Sequence, residues 1–298
     1  MNFKLPRKFP LLPRKKNTSK HDYGHVLVLA GSKGLTGAAI LASRAALVSG
    51  SGLVTLGVPR GLENFFARSL VEIMQLGLPE TTGGALGRAA YSKIRAFIKK
   101  RHVNSLAVGP GLSHSAQTSS LVRRLVKTAS LPLVLDADGL NSFRGKAKEL
   151  RGHLSPLVLT PHEREFERLF GQSLPKKPSG RIALAKKLSK FYDVVLVLKG
   201  HRTLVVEGQR VYVNTTGNPG MAKGGTGDVL TGIIASFIGQ GLEAFEAAVW
   251  AVYFHGKAGD FVARQKGELA LSASDLIEAL PKVFKRPQSR DCGTPRRS

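Results

Sequence analysis

The chain contains a single cysteine in 298 residues, Cys292, set in a polar stretch near the C-terminus. A lone thiol excludes both a disulfide framework and a cysteine-based metal site, and it suits a reducing compartment, with the cytoplasm as the expected location. No uninterrupted apolar run approaches the roughly 18 residues that a membrane helix needs, and no signal-peptide core follows the basic N-terminus. Pro6, Pro10 and Pro13 oppose the amphipathic helix of a transit peptide. Acids are scarce: 20 Asp and Glu stand against 45 Lys and Arg, a net charge of +25.

Such an excess invites a nucleic-acid partner, since basic patches bind phosphate backbones without regard to sequence. Residues 1–20 hold seven Lys or Arg and no acid, and residues 281–298 hold six against Asp291, so the two ends supply 12 of the 25. The remainder is spread over about 260 residues, which argues against specific nucleic-acid binding and suits an enzyme whose ligands carry several phosphates.

Length and a hydrophobic content of 42% allow one large α/β domain. Val26–Ala30, Leu106–Val108, Leu133–Leu135, Leu157–Leu159 and Val194–Leu198 are apolar on successive residues, which predicts strands covered on both faces, as in a mostly parallel sheet. Helical patterns run between them at Ala38–Ser49, Arg88–Lys100, Ser115–Lys127 and Arg181–Lys190. Thr203–Val206 and Arg210–Asn214, joined by Glu207-Gly208-Gln209, predict an antiparallel edge hairpin. Helices over Val229–Ile238, Glu243–Arg264 and Ser274–Val283 make the last third mainly helical.

The richest stretch runs from Asn218 to Gly232 and contains Gly224-Gly-Thr-Gly-Asp228. Glycines let backbone amides approach an anion, and the helix N-terminus adds about half a positive charge, so Asp228 stands where a base meets a substrate hydroxyl. A tight turn with Asp228 as a helix cap accounts for the isolated pentapeptide equally well. Other strand ends add weight, because ligands of doubly wound sheets gather there. These ends are Gly31-Ser-Lys-Gly-Leu-Thr-Gly37, Gly109-Pro-Gly111, Asp136-Ala-Asp-Gly-Leu-Asn141, Thr160-Pro-His162-Glu163 and Lys199-Gly-His-Arg-Thr203. Each alone is explained by turn or cap chemistry, and together they favour a nucleotide-using enzyme.

These segments, with Gly24–Ser32, Gly50–Val54, Val71–Met74 and Leu198–Gly200, form an ordered set in which the chain resembles the ATP- or ADP-dependent NAD(P)H-hydrate dehydratases of the ribokinase-like superfamily, from about Asp22 to about Leu280. The resemblance implies a three-layer α/β/α sandwich with a mostly parallel central sheet and an antiparallel edge. It implies a domain over 21–283 between basic tails at 1–20 and 284–298, and a homo-oligomer. It also implies repair of the S epimer of hydrated NADH or NADPH: ATP or ADP phosphorylates the C6 hydroxyl, and loss of phosphate restores the ring double bond. By the same resemblance Asp228 is the general base, and Ala38, Ala39, Gly111, His162 and Asp228 contact the substrate. Lys199, Gly200, His201, Arg202, Thr203, Gly225, Thr226 and Gly227 contact the nucleotide.

Mg2+ is expected from phosphoryl-transfer chemistry, with Asp136 and Asn141 as candidate ligands and no ligand set fixed by spacing. Some relatives carry an N-terminal epimerase domain, and the roughly 20 residues before the match are too few for one. Ser19-Lys-His21 and Thr226 depart slightly from the family pattern, the latter keeping a hydroxyl. The rival readings are a ribokinase-like small-molecule kinase that phosphorylates an alcohol and releases the ester, and a basic nucleic-acid-binding protein on a retired enzyme scaffold.

Overall fold

The computed structural model describes residues 3–6 and 8–285. Among them, nine strands form one sheet in the order β3-β2-β1-β4-β5-β6-β7-β8-β9. The strands are β1 (His25–Leu29), β2 (Leu53–Pro59), β3 (Met74–Leu78), β4 (Ser105–Val108), β5 (Leu133–Leu135), β6 (Leu157–Leu159), β7 (Val195–Leu198), β8 (Leu204–Glu207) and β9 (Arg210–Val213). β1 to β7 are parallel, and β8 and β9 add the antiparallel edge. All five residues of β1 are buried, as expected of a strand covered on both sides.

Alternation of side chains along the strands feeds two cores. Val26 and Val28 face α1 (Thr36–Val48), α2 (Glu63–Ser69), α8 (Thr226–Gly239), α9 (Ala244–Lys266) and α10 (Ala273–Phe284). Leu27 and Leu29 face α3 (Ala90–Arg101), α4 (Ala116–Thr128), the short α5 (Asp138–Asn141), α6 (Glu163–Phe170) and α7 (Pro178–Tyr192). This is a ribokinase-like three-layer sandwich. α8 lies close against α1 because Gly232 has no side chain; a methyl group there would come within 2.1 Å of the Ala42 carbonyl oxygen.

Two strands and the short helices α2 and α5 escape the sequence reading. Thr55, Gly57 and Pro59 interrupt the apolar run of β2, and Gln75 and Gly77 interrupt β3. Gly57 is required by packing, since a methyl group there would meet Leu29 Cδ2 at 2.7 Å. α2 follows β2 directly and buries Phe66.

The N-terminal segment is not a free tail where the structure describes it. The amide of Phe3 donates to the Val211 carbonyl at 2.7 Å, and the Phe3 ring stands edge-on to Phe245. Phe9 is buried, with ring centroids 5.0 Å from Phe237, 5.0 Å from Trp250 and 4.9 Å from Phe254. The folded unit therefore begins well before residue 21. The expected C-terminal tail, with Cys292, lies outside the described residues beyond Lys285.

Candidate active site

A cavity of about 970 Å³ opens at the carboxyl ends of β5, β6 and β7, where α8 begins. β7 delivers Lys199 to its floor. The Lys199 ammonium lies 2.7 Å from Asp136 Oδ1 and 3.6 Å from Glu165 Oε2. Burial acts to lower its pKa, but the Asp136 and Glu165 carboxylates outweigh burial and hold it above the ordinary lysine value. The other Asp136 oxygen accepts from the Thr231 hydroxyl of α8 at 2.7 Å. Asp136 is itself 1% exposed, so both oxygens of a buried carboxylate are satisfied within the protein.

Asp228 occupies the third position of α8. Gly225, the N-cap, has φ +90°, a left-handed conformation that glycine adopts without strain. Thr226 secures the turn by donating its hydroxyl to the Met221 and Lys223 carbonyls. The first amides of α8 have no intrahelical acceptor and carry the positive end of the helix dipole. A methyl group on Gly227 would stand 3.2 Å from Lys199 Nζ, so the bare backbone lets the cation sit beside the loop.

The half-buried Asp228 carboxyl is pushed up to about 7. Burial is the main cause, and the charge of Asp136 adds to it; Lys199 pulls in the opposite direction. A carboxyl that titrates near neutrality beside a cation and a row of free amides is suited to accept a proton while a phosphoryl group is transferred.

The cavity lining brings together Asp228, Gly225, Thr226, Gly227, His162 and Lys199 with the β7–β8 turn of Gly200, His201, Arg202 and Thr203. That turn is tied by the Thr203 hydroxyl, which donates to the Gly200 carbonyl at 2.9 Å. Ala38, Ala39 and Gly111 do not line the cavity. Ala38 and Gly111 face each other beyond it, since a methyl group on Gly111 would come within 3.3 Å of the Ala38 methyl. Ala39 is fully buried, so of the two alanines only Ala38 presents its side chain outward. α1 also packs against the α8 loop, because a methyl group on Gly225 would meet Leu41 of α1 at 2.6 Å.

His162 is the N-cap of α6: its Nδ1 accepts from the Glu165 amide, and its own amide donates to Glu165 Oε2 at 2.9 Å. Its Nε2 lies 3.6 Å from Glu165 Oε1. Asp138 accepts from the Ser113 amide at 2.9 Å and from Asn141 Nδ2 at 3.3 Å. Between the two aspartates, Ala137 is held at φ +47°, ψ −119°, a conformation costing a non-glycine residue about 1–3 kcal/mol and found mainly where a site over-determines it.

The family model of the NAD(P)H-hydrate dehydratases matches residues 26–282. The chain belongs to that family. It is 47% identical over 277 residues to a bifunctional NAD(P)H-hydrate repair enzyme of Moorella thermoacetica, covering 92% of this chain and 52% of that one. It is 34% identical to the ADP-dependent (S)-NAD(P)H-hydrate dehydratase of Neisseria meningitidis, covering 89% of this chain and 86% of that one. The ADP/ATP-dependent NAD(P)H-hydrate dehydratase of Bacillus subtilis, crystallised with ATP and Mg2+, has a TM-score of 0.78 at 29% identity, covering 93% of this chain and 94% of that one. The chain spans about half the length of the bifunctional relatives it matches.

For a dehydratase-family chain, two side chains that sequence reasoning passed over matter here. His255 of α9 directs Nε2 to the Thr226 carbonyl at 2.9 Å. Burial pushes its pKa down to about 4, so the ring is neutral at pH 7; because a carbonyl only accepts, Nε2 carries the hydrogen. Asp260, further along α9, accepts from the Gly217 amide at 3.0 Å and from Asn218 Nδ2 at 3.2 Å. α9 thus holds the glycine-rich segment at both ends. The signal in the sequence is His255-Gly-Lys-Ala-Gly-Asp260, with two glycines inside a helix: methyl groups on Gly256 and Gly259 would come within 2.2 Å of Thr216 Oγ1 and Met221 Sδ.

Among the described residues no cluster of three or more His, Cys, Asp or Glu could cage a metal ion. Asp136 is committed to Lys199 and Thr231, and Asn141 to Asp138. These residues fit an Mg2+ that keeps its waters and arrives on nucleotide phosphates, not one held by the protein alone.

Proposed function

We propose that the chain dehydrates hydrated NADH and NADPH, the S epimers, using ATP or ADP as phosphoryl donor. Asp228 takes the proton of the C6 hydroxyl as its oxygen attacks the terminal phosphorus. The bond from that phosphorus to the rest of the nucleotide breaks, and ADP or AMP departs. Phosphate then leaves C6, a proton leaves C5, and the ring double bond is restored.

The amides of Gly225, Thr226 and Gly227 receive the charge that develops on the transferring group, and Lys199 supplies a fixed cation behind them. Mg2+ bound to the phosphates would neutralise their oxygens. Gly200 to Thr203 line the side of the cavity expected to take the nucleotide; Ala38, Gly111 and His162 surround the side expected to take the hydrated ring. The observation that carries this reading is the Asp228 carboxyl, titrating near 7 at the head of α8 with Lys199 alongside.

The test is incubation of the protein with hydrated NADPH, Mg2+ and either nucleotide, following the dihydronicotinamide absorbance and phosphate release together. Equimolar recovery and release are expected. Nucleotide turnover without recovery of absorbance would replace this reading with that of a small-molecule kinase of the same fold.

A further inference from the structure

The positive charge of this chain is not gathered at its anion-binding cavity. One group of cations stands at the opposite end of the sheet, where helices finish and parallel strands begin. Lys99, Lys100 and Arg101 close α3 before β4, and Lys127 closes α4 before β5. Arg144, Lys146, Lys148 and Arg151 occupy the connection before β6, and Lys187 and Lys190 end α7 before β7. All of these are exposed.

Because β4, β5, β6 and β7 are neighbours in the sheet, these positions follow one rim, and contacts tie parts of it together. The Arg101 carbonyl accepts from His25 at the start of β1, Lys127 donates to the Arg151 carbonyl at 2.7 Å, and the Arg151 guanidinium lies 4.7 Å from the centre of the Phe191 ring. Three acids stand among them: Asp22 is held by Ser19, Glu149 lies 3.2 Å from Arg123 and 3.8 Å from Lys146, and Asp193 is exposed just before β7. At the cavity, by contrast, Lys199 is answered by Asp136 and Glu165, so the rim does not serve the ligands of that site.

We propose that this rim binds the phosphate backbone of nucleic acid without reading its sequence. Closely spaced exposed cations release counterions from a polyanion, which is the driving term of such binding. An anionic membrane fits less well. Surface-bound helices bury an apolar face in the bilayer, and here the apolar faces of α3, α4 and α7 are turned into the sheet. Between residues 88 and 192 the large exposed apolar side chains are Leu154 and Phe191, the latter 49% exposed beneath Arg151, an arrangement on which an unpaired base stacks.

The test uses the full chain and a fluorescein-labelled single-stranded DNA of mixed sequence, with anisotropy followed across a salt series. Micromolar binding near 0.15 M salt is expected. The triple variant Lys99→Gln/Lys100→Gln/Arg101→Gln should flatten the plot of log affinity against log salt by about two, since each phosphate neutralised on a single strand contributes about 0.7. A second variant, Arg60→Gln/Arg88→Gln/Arg164→Gln, removes the same charge from exposed positions at the other end of the strands and should keep the wild-type slope. Equal weakening of both variants would show that net charge, not the rim, does the binding and would overturn the proposal. So would an unchanged slope in the first variant, or binding to phosphatidylserine vesicles with none to the oligonucleotide.

Discussion

At the carboxyl ends of β5 to β7, Lys199, Asp136 and Glu165 are nearly withdrawn from water and answered by one another within 4 Å; at the amino ends of the same strands, lysines and arginines stand in solvent, with Glu149 and Asp193 equally exposed among them. Both ends are made of connections between strand and helix. The difference is burial. Where water is excluded, a neighbouring charge moves a pKa across units and fits a carboxyl for proton transfer. Where it is not, the same charges act at a distance and weaken with salt. Substitutions at the carboxyl end should therefore change rate and spare the fold, and those elsewhere should do the reverse.

Asp228→Asn breaks the contrast most sharply if it fails. Turnover should fall about 10²–10⁴-fold, the range for a lost general base. The wild-type rate should rise with pH through an apparent pKa near 7, because only the ionised carboxyl accepts the proton. A carboxyl raised in the folded state binds protons that the unfolded chain releases, so its contribution to stability declines as pH rises between about 4 and 7. The asparagine variant escapes that decline, and its melting temperature at pH 8 should not drop. Turnover within a few-fold of wild type would remove Asp228 from the chemistry.

Phe9→Ala tests a position far from the cavity. Emptying its place among Phe237, Trp250 and Phe254 should cost about 3–5 kcal/mol, read by urea unfolding, with kcat preserved at a temperature where the variant is folded. By the same packing, removing residues 1–20 should destabilise the protein, against the sequence expectation that they form a tail outside the domain.

His255→Leu removes the side-chain hydrogen bond to the Thr226 carbonyl, a loss of about 0.5–1.5 kcal/mol that should appear as a roughly 2- to 10-fold fall in kcat with KM for nucleotide little changed. His255→Gln, which keeps an N–H at comparable reach, should recover much of the rate. A merely space-filling histidine would show no difference between the two.

The smallest effect belongs to His25, at the amino end. Its amide donates to Asn104 Oδ1 at 2.8 Å, Nδ1 donates to the Arg101 carbonyl, and Nε2 accepts from the Thr55 hydroxyl. Burial lowers its pKa, so the folded ring resists a proton that the unfolded chain accepts, and stability should fall as pH drops below about 6.5. His25→Leu should lower the melting temperature by several degrees at pH 8, flatten the acid-side decline, and leave kcat alone.

The strands most legible in the sequence were those without interruption, such as Val26 to Leu29 and Val194 to Leu198. β2 and β3 were hidden because Gly57, Gln75 and Gly77 answer to neighbours that composition does not reveal. In the cavity, Asp228 and its glycines were legible because they are adjacent in the chain. His255 and Asp260 were not, since their partners at Thr226 and Gly217 lie 29 and 43 residues away. The basic rim was hidden for the same reason: the charge total is a property of sequence, and which cations become neighbours is a property of connection order.

The aromatic cluster around Phe9 also sets a timetable for synthesis. Phe9 leaves the ribosome before every strand of the sheet, yet its partners Phe237, Trp250, Phe254 and Phe284 come from α8, α9 and α10. Those helices supply most of the cover for one face of the sheet. A nascent chain that has completed β1 to β9 therefore carries that face largely bare, a sticky surface of valines and alanines that a holding chaperone would recognise. The early phenylalanine waits with it, and the fold closes only once Phe284 has emerged.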